Sequence, residues 1–435
     1  MPRVLRDSLV MARELTLAWG PFILIGIALL ALAYWALDPA PPKRVTLATG
    51  PERSPYDEFG KRYKAELARY GIEVVLKPTH GSFENRRLLR DAKHEVDLAF
   101  VQGGSSDADR VADESQEGPQ LVSLGSLFYE PVWVFYRSKT ALDQISDLKG
   151  RRINVGARGS GTPGLVAKLL AANHFERDDI KRSNLDETPA VMALLGNELD
   201  AVVLASAAES PMVQMLLQTP GIRLLEFPQA EAYARRMPFL STVLFPRGVA
   251  DMARDVPPRD LQLVATTTSL VAREDTHPAL QQLFVQAAAR IHSRPGWLAR
   301  AGTFPNSGNA EFPLAKDAER YYRAGPPLLQ RYLPFWLANF VDRMWVALFS
   351  IIAVLIPVSR LIPPLYRFRV RSRVFRWYRQ LRRIEDDIGE RDPKDLLDEL
   401  DRLESRAKRI AVPLSYADEL YALRSHIDLV RIKLR

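Results

Sequence analysis

Two uncharged apolar runs, one near each end of the chain, limit what everything between them can be. Between Glu14 and Asp38 lie 23 uncharged residues, including WGPFILIGIALLALAYWAL. At about 1.5 Å per residue such a run crosses a hydrocarbon core of about 30 Å. Trp19 at one end and Tyr34 and Trp35 at the other suit the two membrane interfaces. The other reading is a cleaved signal peptide, kept open by Ala31-Leu32-Ala33. The fourteen-residue charged leader and the late, proline-rich exit favour an uncleaved anchor. The second run is shorter: Arg343 and Arg360 bracket 16 uncharged residues, MWVALFSIIAVLIPVS. It reaches full span when both arginines snorkel and Leu361, Ile362, Leu365 and Tyr366 extend it. Upstream, the residues from Pro334 to Val341 read as an interfacial aromatic shelf. The alternative for this run is a buried helix of a soluble domain.

Charge gives the two runs an orientation. The formal net charge is +8, but residues 43–333 carry only +2 of it and residues 334–435 carry +6. From Arg360 to Arg383 there are nine arginines and no acidic residue. By the positive-inside rule that flank is cytoplasmic, and Arg3, Arg6 and Arg13 bias the first flank the same way. An arginine run can bind nucleic acid. Its place directly after an apolar segment favours anionic phospholipid, met through Arg367, Arg369, Arg371, Arg373 and Arg376, with no nucleic-acid partner. The chain then divides into a cytoplasmic N-terminus (1–14), a first span (15–37), a linker (38–43), a soluble middle (44–330), an interfacial segment (331–343), a second span (344–366) and a cytoplasmic basic tail (367–435). The absence of cysteine excludes disulfides, thiolate metal sites and a cysteine nucleophile.

The middle alternates apolar strands with amphipathic helices. Expected strands are 45–50, 73–78, 96–102, 121–127, 132–136, 152–157, 201–206, 222–227, 240–245 and 261–272. Expected helices include 56–70, 85–93, 162–173, 188–196 and 278–293. This alternation argues a mainly parallel α/β sheet. About 290 residues exceed one typical sheet domain, so two lobes are expected. Lobe 1 takes about 44–130 and 246–330, and lobe 2 about 131–245.

Ligands of such sheets bind where strands hand over to helices. Three such loops are informative: Ala48-Thr-Gly-Pro-Glu-Arg-Ser-Pro-Tyr56, Thr79-His-Gly-Ser-Phe-Glu-Asn85 and Gly156-Ala-Arg-Gly-Ser-Gly-Thr162. Glycine admits close backbone approach, and hydroxyls beside unpaired helix N–H groups suit a carboxylate or phosphate. For one loop alone, a well-capped helix is the simpler account; three at like junctions point to a site. The third loop lacks the Lys-Ser/Thr of a phosphate loop and the spacing of a dinucleotide loop, which argues against a nucleotide. Arg158 is a bidentate partner for a carboxylate or a solvent-exposed loop arginine, with equal weight.

These stretches (VTLATGPERSPYDEFGKRYKAEL, THGSFENRRLL, EVDLAFVQ, DLKGRRINVGARGSGTPGLVAKLL and ELDAVVLAS) resemble the TAXI family of solute-binding proteins, the receptors of one class of TRAP transporter. The resemblance covers roughly 44–330. It implies a two-lobed periplasmic binding protein of type II-like α/β fold, here flanked by two transmembrane helices and followed by an α-helical tail. It implies hinge closure on a small carboxylate solute, a dicarboxylate or an amino acid, outside a bacterial inner membrane, and a separate TRAP permease. Carried onto this chain, the ligand residues are Ser54, Tyr56, Ser82, Asn85 and Gln102 on one side. On the other are Ser160, Gly161 and Thr162, with Arg158 and Gly159 of the same loop as further candidates apart from the resemblance. The chain departs from the family at Pro51-Glu-Arg-Ser-Pro55, where a glycine-rich turn is usual, and at Ser206-Ala-Ala-Glu-Ser-Pro211, where the loop normally carries a glycine near the proline. Glu130-Pro-Val and Leu240–Pro246 are the expected crossings between lobes.

The tail carries three apolar seams at spacings of three and four: Val374, Trp377, Leu381, Ile384, Ile388; Leu396, Leu400, Leu403, Ala407, Ile410; and Leu420, Leu423, Ile427, Val430, Leu434. They suit a small helical bundle or a docking face for a partner. A ligand-gated sensor or scaffold signalling through this tail is therefore the alternative to a transport receptor. An enzyme acting on a small organic acid is the third class. The six histidines, His80, His94, His174, His277, His292 and His426, form no metal-ligand pair at helical spacing, and no nucleophile-elbow motif occurs. No metal, cofactor or catalytic residue is expected.

Overall fold

The computed structural model describes residues 20, 22–105, 118–176, 178–308, 311–360, 362–408 and 417–434, in two compact units, 40–339 and the two termini. In the first unit ten strands form one mixed sheet. They are β1 (Arg44–Ala48), β2 (Glu73–Lys77), β3 (Leu98–Gln102), β4 (Leu121–Tyr136), β5 (Arg152–Asn154), β6 (Lys181–Ser183), β7 (Ala201–Ala205), β8 (Arg223–Leu224), β9 (Leu240–Phe245) and β10 (Leu261–Arg273). Their order is β2-β1-β3-β10-β4-β7-β5-β6, with β8 on β4 and β9 on β10.

The sheet is not mainly parallel. Every pairing made by β4 or β10 is antiparallel, while β1 with β2 and β3, and β5 with β6 and β7, are parallel. The reason lies in β4, which is a single 16-residue strand where the sequence suggested two. Proline at 131 removes only one donor, and its neighbours keep the ladder: Glu130 pairs with Thr266 and Pro131 with Ala265.

Two cores flank this ladder. One gathers Val45, Leu47, Leu98, Phe100, Leu124 and Leu127 with the helix Pro278–His292. The other gathers Val132, Trp133, Phe135, Leu165, Leu194 and Val202 with Leu263, Val264 and Ala265. β4 therefore passes from one core to the other at Glu130–Pro131. β10 makes the return at Ala265–Thr266, later than the crossing expected at 240–246. The whole of β9 packs on the second core, because its buried Leu240, Val243 and Phe245 face Trp133 and the other residues there.

Helices enter where the caps foretold. Ser54 caps the helix Pro55–Ala68, its hydroxyl accepting the Asp57 N–H at 3.3 Å, with proline in the first turn. The helix Ser82–Arg90 starts three residues earlier than expected, because Gly81 takes a positive φ of 125° and turns the chain sharply. β6, Lys181-Arg-Ser, is short and polar at the sheet edge, a pattern that apolar runs do not reveal.

In the terminal unit, an apolar helix covers Phe22–Leu37; Trp19 and the charged leader lie outside the described residues. Its buried Gly26 faces Leu355, and Tyr34 meets Phe340 at 6.4 Å between ring centroids. Of the described helices, Phe335–Ser359 is the one long and apolar enough to cross a membrane by length and composition. It starts before the expected residue 344 and absorbs most of the expected interfacial shelf. It ends at Ser359, and residues 362–366 open the next helix, Ile362–Asp386. Trp345, Phe349, Ile352 and Ile356 on one helix, and Ile23, Leu24, Ile27 and Trp35 on the other, are exposed.

The tail forms three helices, Ile362–Asp386, Pro393–Lys408 and Ala417–Leu434, around Leu381, Ile384, Leu396, Leu400, Leu403, Leu423, Ile427 and Val430. Trp377 and Ile388 pack at the edge of this core. Arg431 ties the third helix to the second through Glu404 and Asp401, and Lys433 reaches Glu385 on the first. The side chains of Val374, Ala407, Ile410 and Leu420, and of Arg367, Arg369, Arg371 and Arg373, lie outside the described ones, while Arg376 is exposed.

Candidate functional site

Strand register assembles a polar cluster where β4 and β10 pass between the two cores. Gln102 on β3 pairs with Thr268 on β10, and Thr268 pairs with Phe128 on β4. Residues two apart on a strand share a face, so Glu130 joins Gln102 and Thr268 on one side of the sheet. Tyr56, in the first turn of its helix, lies over them with its ring stacked on Phe100 at 5.3 Å. The Gln102 Nε2 donates to Glu130 Oε2 at 2.6 Å and the Tyr56 hydroxyl donates to the same oxygen at 3.3 Å. Tyr56 and Thr268 hydroxyls lie 3.1 Å apart. All four residues are buried.

Burial pushes the Glu130 carboxyl up to about 7, against the lowering pull of hydrogen bonds from Thr268, Tyr56 and Gln102. The same burial, reinforced by the Glu130 charge, raises Tyr56 well above the usual phenol range. The folded protein thus holds a proton that the unfolded chain releases near 4.5. Stability is full below that value and is lost as pH rises to 7, by about 3 kcal/mol in all. Thermal unfolding of wild type is expected to drop across pH 4.5–7 and level off above, and Glu130→Gln is expected to flatten that profile. A wild-type melting temperature that rises across the same window would refute the assignment.

The second loop is pinned from below. Asn85 is fully buried; its Nδ2 donates to the carbonyls of Thr49 at 2.5 Å and Phe100 at 2.9 Å, and its Oδ1 accepts the Thr79 hydroxyl at 2.7 Å. Asn85 therefore clamps the ends of β1 and β3 to the loop. Ser82 accepts the Gln102 N–H at 2.7 Å and donates to the Ser105 hydroxyl at 3.1 Å.

The third loop arrives from the side of the second core, where the helix that follows it packs. The Gly159 carbonyl accepts the Glu84 N–H at 3.2 Å. A Cβ on Gly81 would lie 3.2 Å from the Ser160 Cα, and one on Gly161 would lie 2.2 Å from the Gln102 Oε1. Glycine at these positions is what lets the loops meet. Ser160 turns its hydroxyl back to the Ala157 carbonyl at 2.8 Å, and Thr162 is buried beneath Gly156. Arg158 is exposed. Lys168, from the helix Thr162–Ala172, adds a further tie by donating to the Gly104 carbonyl at 2.8 Å.

The structure thus brings Tyr56, Ser82, Gln102, Gly159, Ser160 and Gly161 together, with Asn85 and Thr162 supporting them from the interior. Ser54 acts as a helix cap, and Arg158 faces outward. Sequence reasoning did not single out Glu130 or Thr268 as site residues. The run Thr266-Thr-Thr-Ser269, polar and buried inside an otherwise apolar strand, was the signal available. Ser206, at the departure from the family pattern, is buried, and its hydroxyl has no hydrogen-bond partner among the described residues. It lies one residue beyond the pairing of Val132 with Ala205, beside the Glu130–Pro131 crossing.

Fold and cluster together define a mixed-sheet α/β protein with a buried polar cluster where β4 and β10 pass between two hydrophobic cores. Residues 57–324 match the NMT1-like family, and the chain belongs to it. Among solved structures, it is similar to the alkanesulfonate-binding protein SsuA from Xanthomonas axonopodis pv. citri bound to MOPS, at 16% identity and a TM-score of 0.38 over 58% of this chain and 73% of that one. It is similar also to the periplasmic aliphatic sulphonate-binding protein SsuA from Escherichia coli, at 14% and 0.37 over 76% and 94%. An ancestral arginine-binding protein bound to arginine matches at 14% and 0.36 over 58% and 93%.

Proposed function

We propose that this chain is a membrane-anchored extracytoplasmic receptor that closes its lobes over a small carboxylate-bearing solute. The observation that carries the proposal is the meeting of glycine-bearing loops from both lobes over the Gln102–Glu130 cluster. Binding energy drawn from both lobes favours the closed state, and a partner can read that state. The helix entries after Ser54, Gly81 and Gly161 supply N–H groups suited to a carboxylate. The TAXI-like loops favour a separate TRAP-type permease as that partner. Two apolar helices with exposed side chains, followed by an arginine-rich helix, support anchoring in a bacterial inner membrane with both termini inside.

A thermal-shift screen of the full chain in detergent tests this. A solute at 100 times its dissociation constant should add about 2.7 kcal/mol of stability. If no carboxylate, amino acid or 2-oxo acid raises the melting temperature, the receptor proposal fails.

The tail favours a second reading, a sensor or scaffold, because its three helices build a core of their own. Deleting residues 390–435 is then expected to change oligomeric state or partner capture while leaving solute affinity within twofold. Unchanged assembly and unchanged capture would remove that reading.

A further inference from the structure

We infer that Glu130 is the counter-charge for a protonated amine on the solute. The inference rests on the receptor function proposed above and narrows the class of solute.

A buried carboxylate is costly unless a cation or several hydrogen bonds compensate it. Among the described residues, the elements that hydrogen-bond Glu130 bring only neutral groups: Tyr56 from the helix Pro55–Ala68, Gln102 from β3 and Thr268 from β10. Tyr56 is the one titratable group among them, and its phenol stays protonated. The third loop meets the Gln102 amide through the Gly161 backbone, which carries no charge, and Arg158 of that loop is exposed. The donors at the cluster are already spent on Glu130, so this part of the cleft offers acceptors. A group that donates N–H bonds and carries positive charge is the partner that the ionised carboxylate calls for. A second carboxylate on the solute would instead meet Glu130 as a like charge in a closed site, and the two could ionise together only at high cost.

The pH dependence has a definite sign. An amine binds the ionised Glu130, whose carboxyl titrates near 7 in the unliganded protein. Amine affinity therefore rises with pH between 6 and 8, with a proton released on binding, whereas a dicarboxylate would bind more weakly over the same range.

The test is isothermal titration of the full chain in detergent with matched pairs: L-alanine against propionate, L-aspartate against succinate, L-glutamate against glutarate, and L-glutamine against 4-carbamoylbutanoate. At pH 8 the amine-bearing member of a binding pair is expected to bind at least tenfold more tightly, and its affinity to fall by about tenfold at pH 6. Glu130→Gln is expected to erase the preference. Because that variant could alter packing, the wild-type pH slope stands as an independent measure. Equal binding of both members, a preference that survives in Glu130→Gln, or amine affinity that falls as pH rises would each overturn the inference. Silence of every pair and of the wider thermal-shift screen would overturn the receptor function itself, and with it this inference.

Discussion

Replacing Gly161 with valine is expected to weaken solute capture by about 100-fold while leaving the unliganded protein nearly as stable as wild type. The residue has φ −77° and ψ −18°, an ordinary helical backbone, so valine brings no strain within its own loop. The conflict lies across the cleft. Even a Cβ would come within 2.2 Å of the Gln102 Oε1 and 3.0 Å of the Ser105 Cβ. Gln102 cannot swing aside cheaply, because its Nε2 is held by Glu130 at 2.6 Å and its main-chain N–H by Ser82. Overpacking a close contact costs about 1–3 kcal/mol, and the branched side chain puts this case at the upper end. Closed-state affinity should fall by about 100-fold, read by titration calorimetry, while the melting temperature without solute stays within a few degrees. Wild-type affinity in Gly161→Val would show that the loops do not close on the ligand.

Asn85→Ala carries the opposite signature. Asn85 sits among the residues expected to hold ligand, yet its polar atoms serve the fold, bridging Thr49, Phe100 and Thr79. Alanine leaves two buried carbonyls and a hydroxyl short of partners and opens a small cavity. A loss of about 3–5 kcal/mol follows, visible as a large drop in melting temperature before any solute is added. A melting temperature that holds steady while binding disappears would return Asn85 to the role of a ligand contact.

The contrast between these two residues shows where sequence reading stops. Apolar runs, proline at first helical turns and a hydroxyl before them marked most strands and helices of the middle unit, because those signals are local. Ser54, Ser82, Gly159 and Gly161 were visible for the same reason. Pro131 and Glu130 read as a break between two strands, because a proline and an acid in the middle of apolar sequence usually end one. The ladder through Thr266 and Ala265 that carries β4 across is non-local. Glu130 as a buried acid, and Asn85 as a clamp, depend on which chain segments arrive beside them, and no spacing along one strand records that. The return crossing in β10 was placed too early for a like reason: β9 and the start of β10 look alike in sequence, and only the packing of Leu261, Leu263 and Val264 against Trp133 and its neighbours assigns them to the second lobe.

Lobe closure itself is open to direct measurement, since the chain has no cysteine and two introduced thiols are unique labelling sites. Arg87 on the first lobe and Met192 on the second are exposed. Spin labels on Arg87→Cys and Met192→Cys in the full chain would report the separation of the lobes by double electron–electron resonance. With a solute that raises the melting temperature, the distances should collapse to one narrow population, and Gly161→Val should keep them broad at the same solute concentration. An unchanged distribution, with calorimetry showing the wild-type site saturated, would contradict capture by closure.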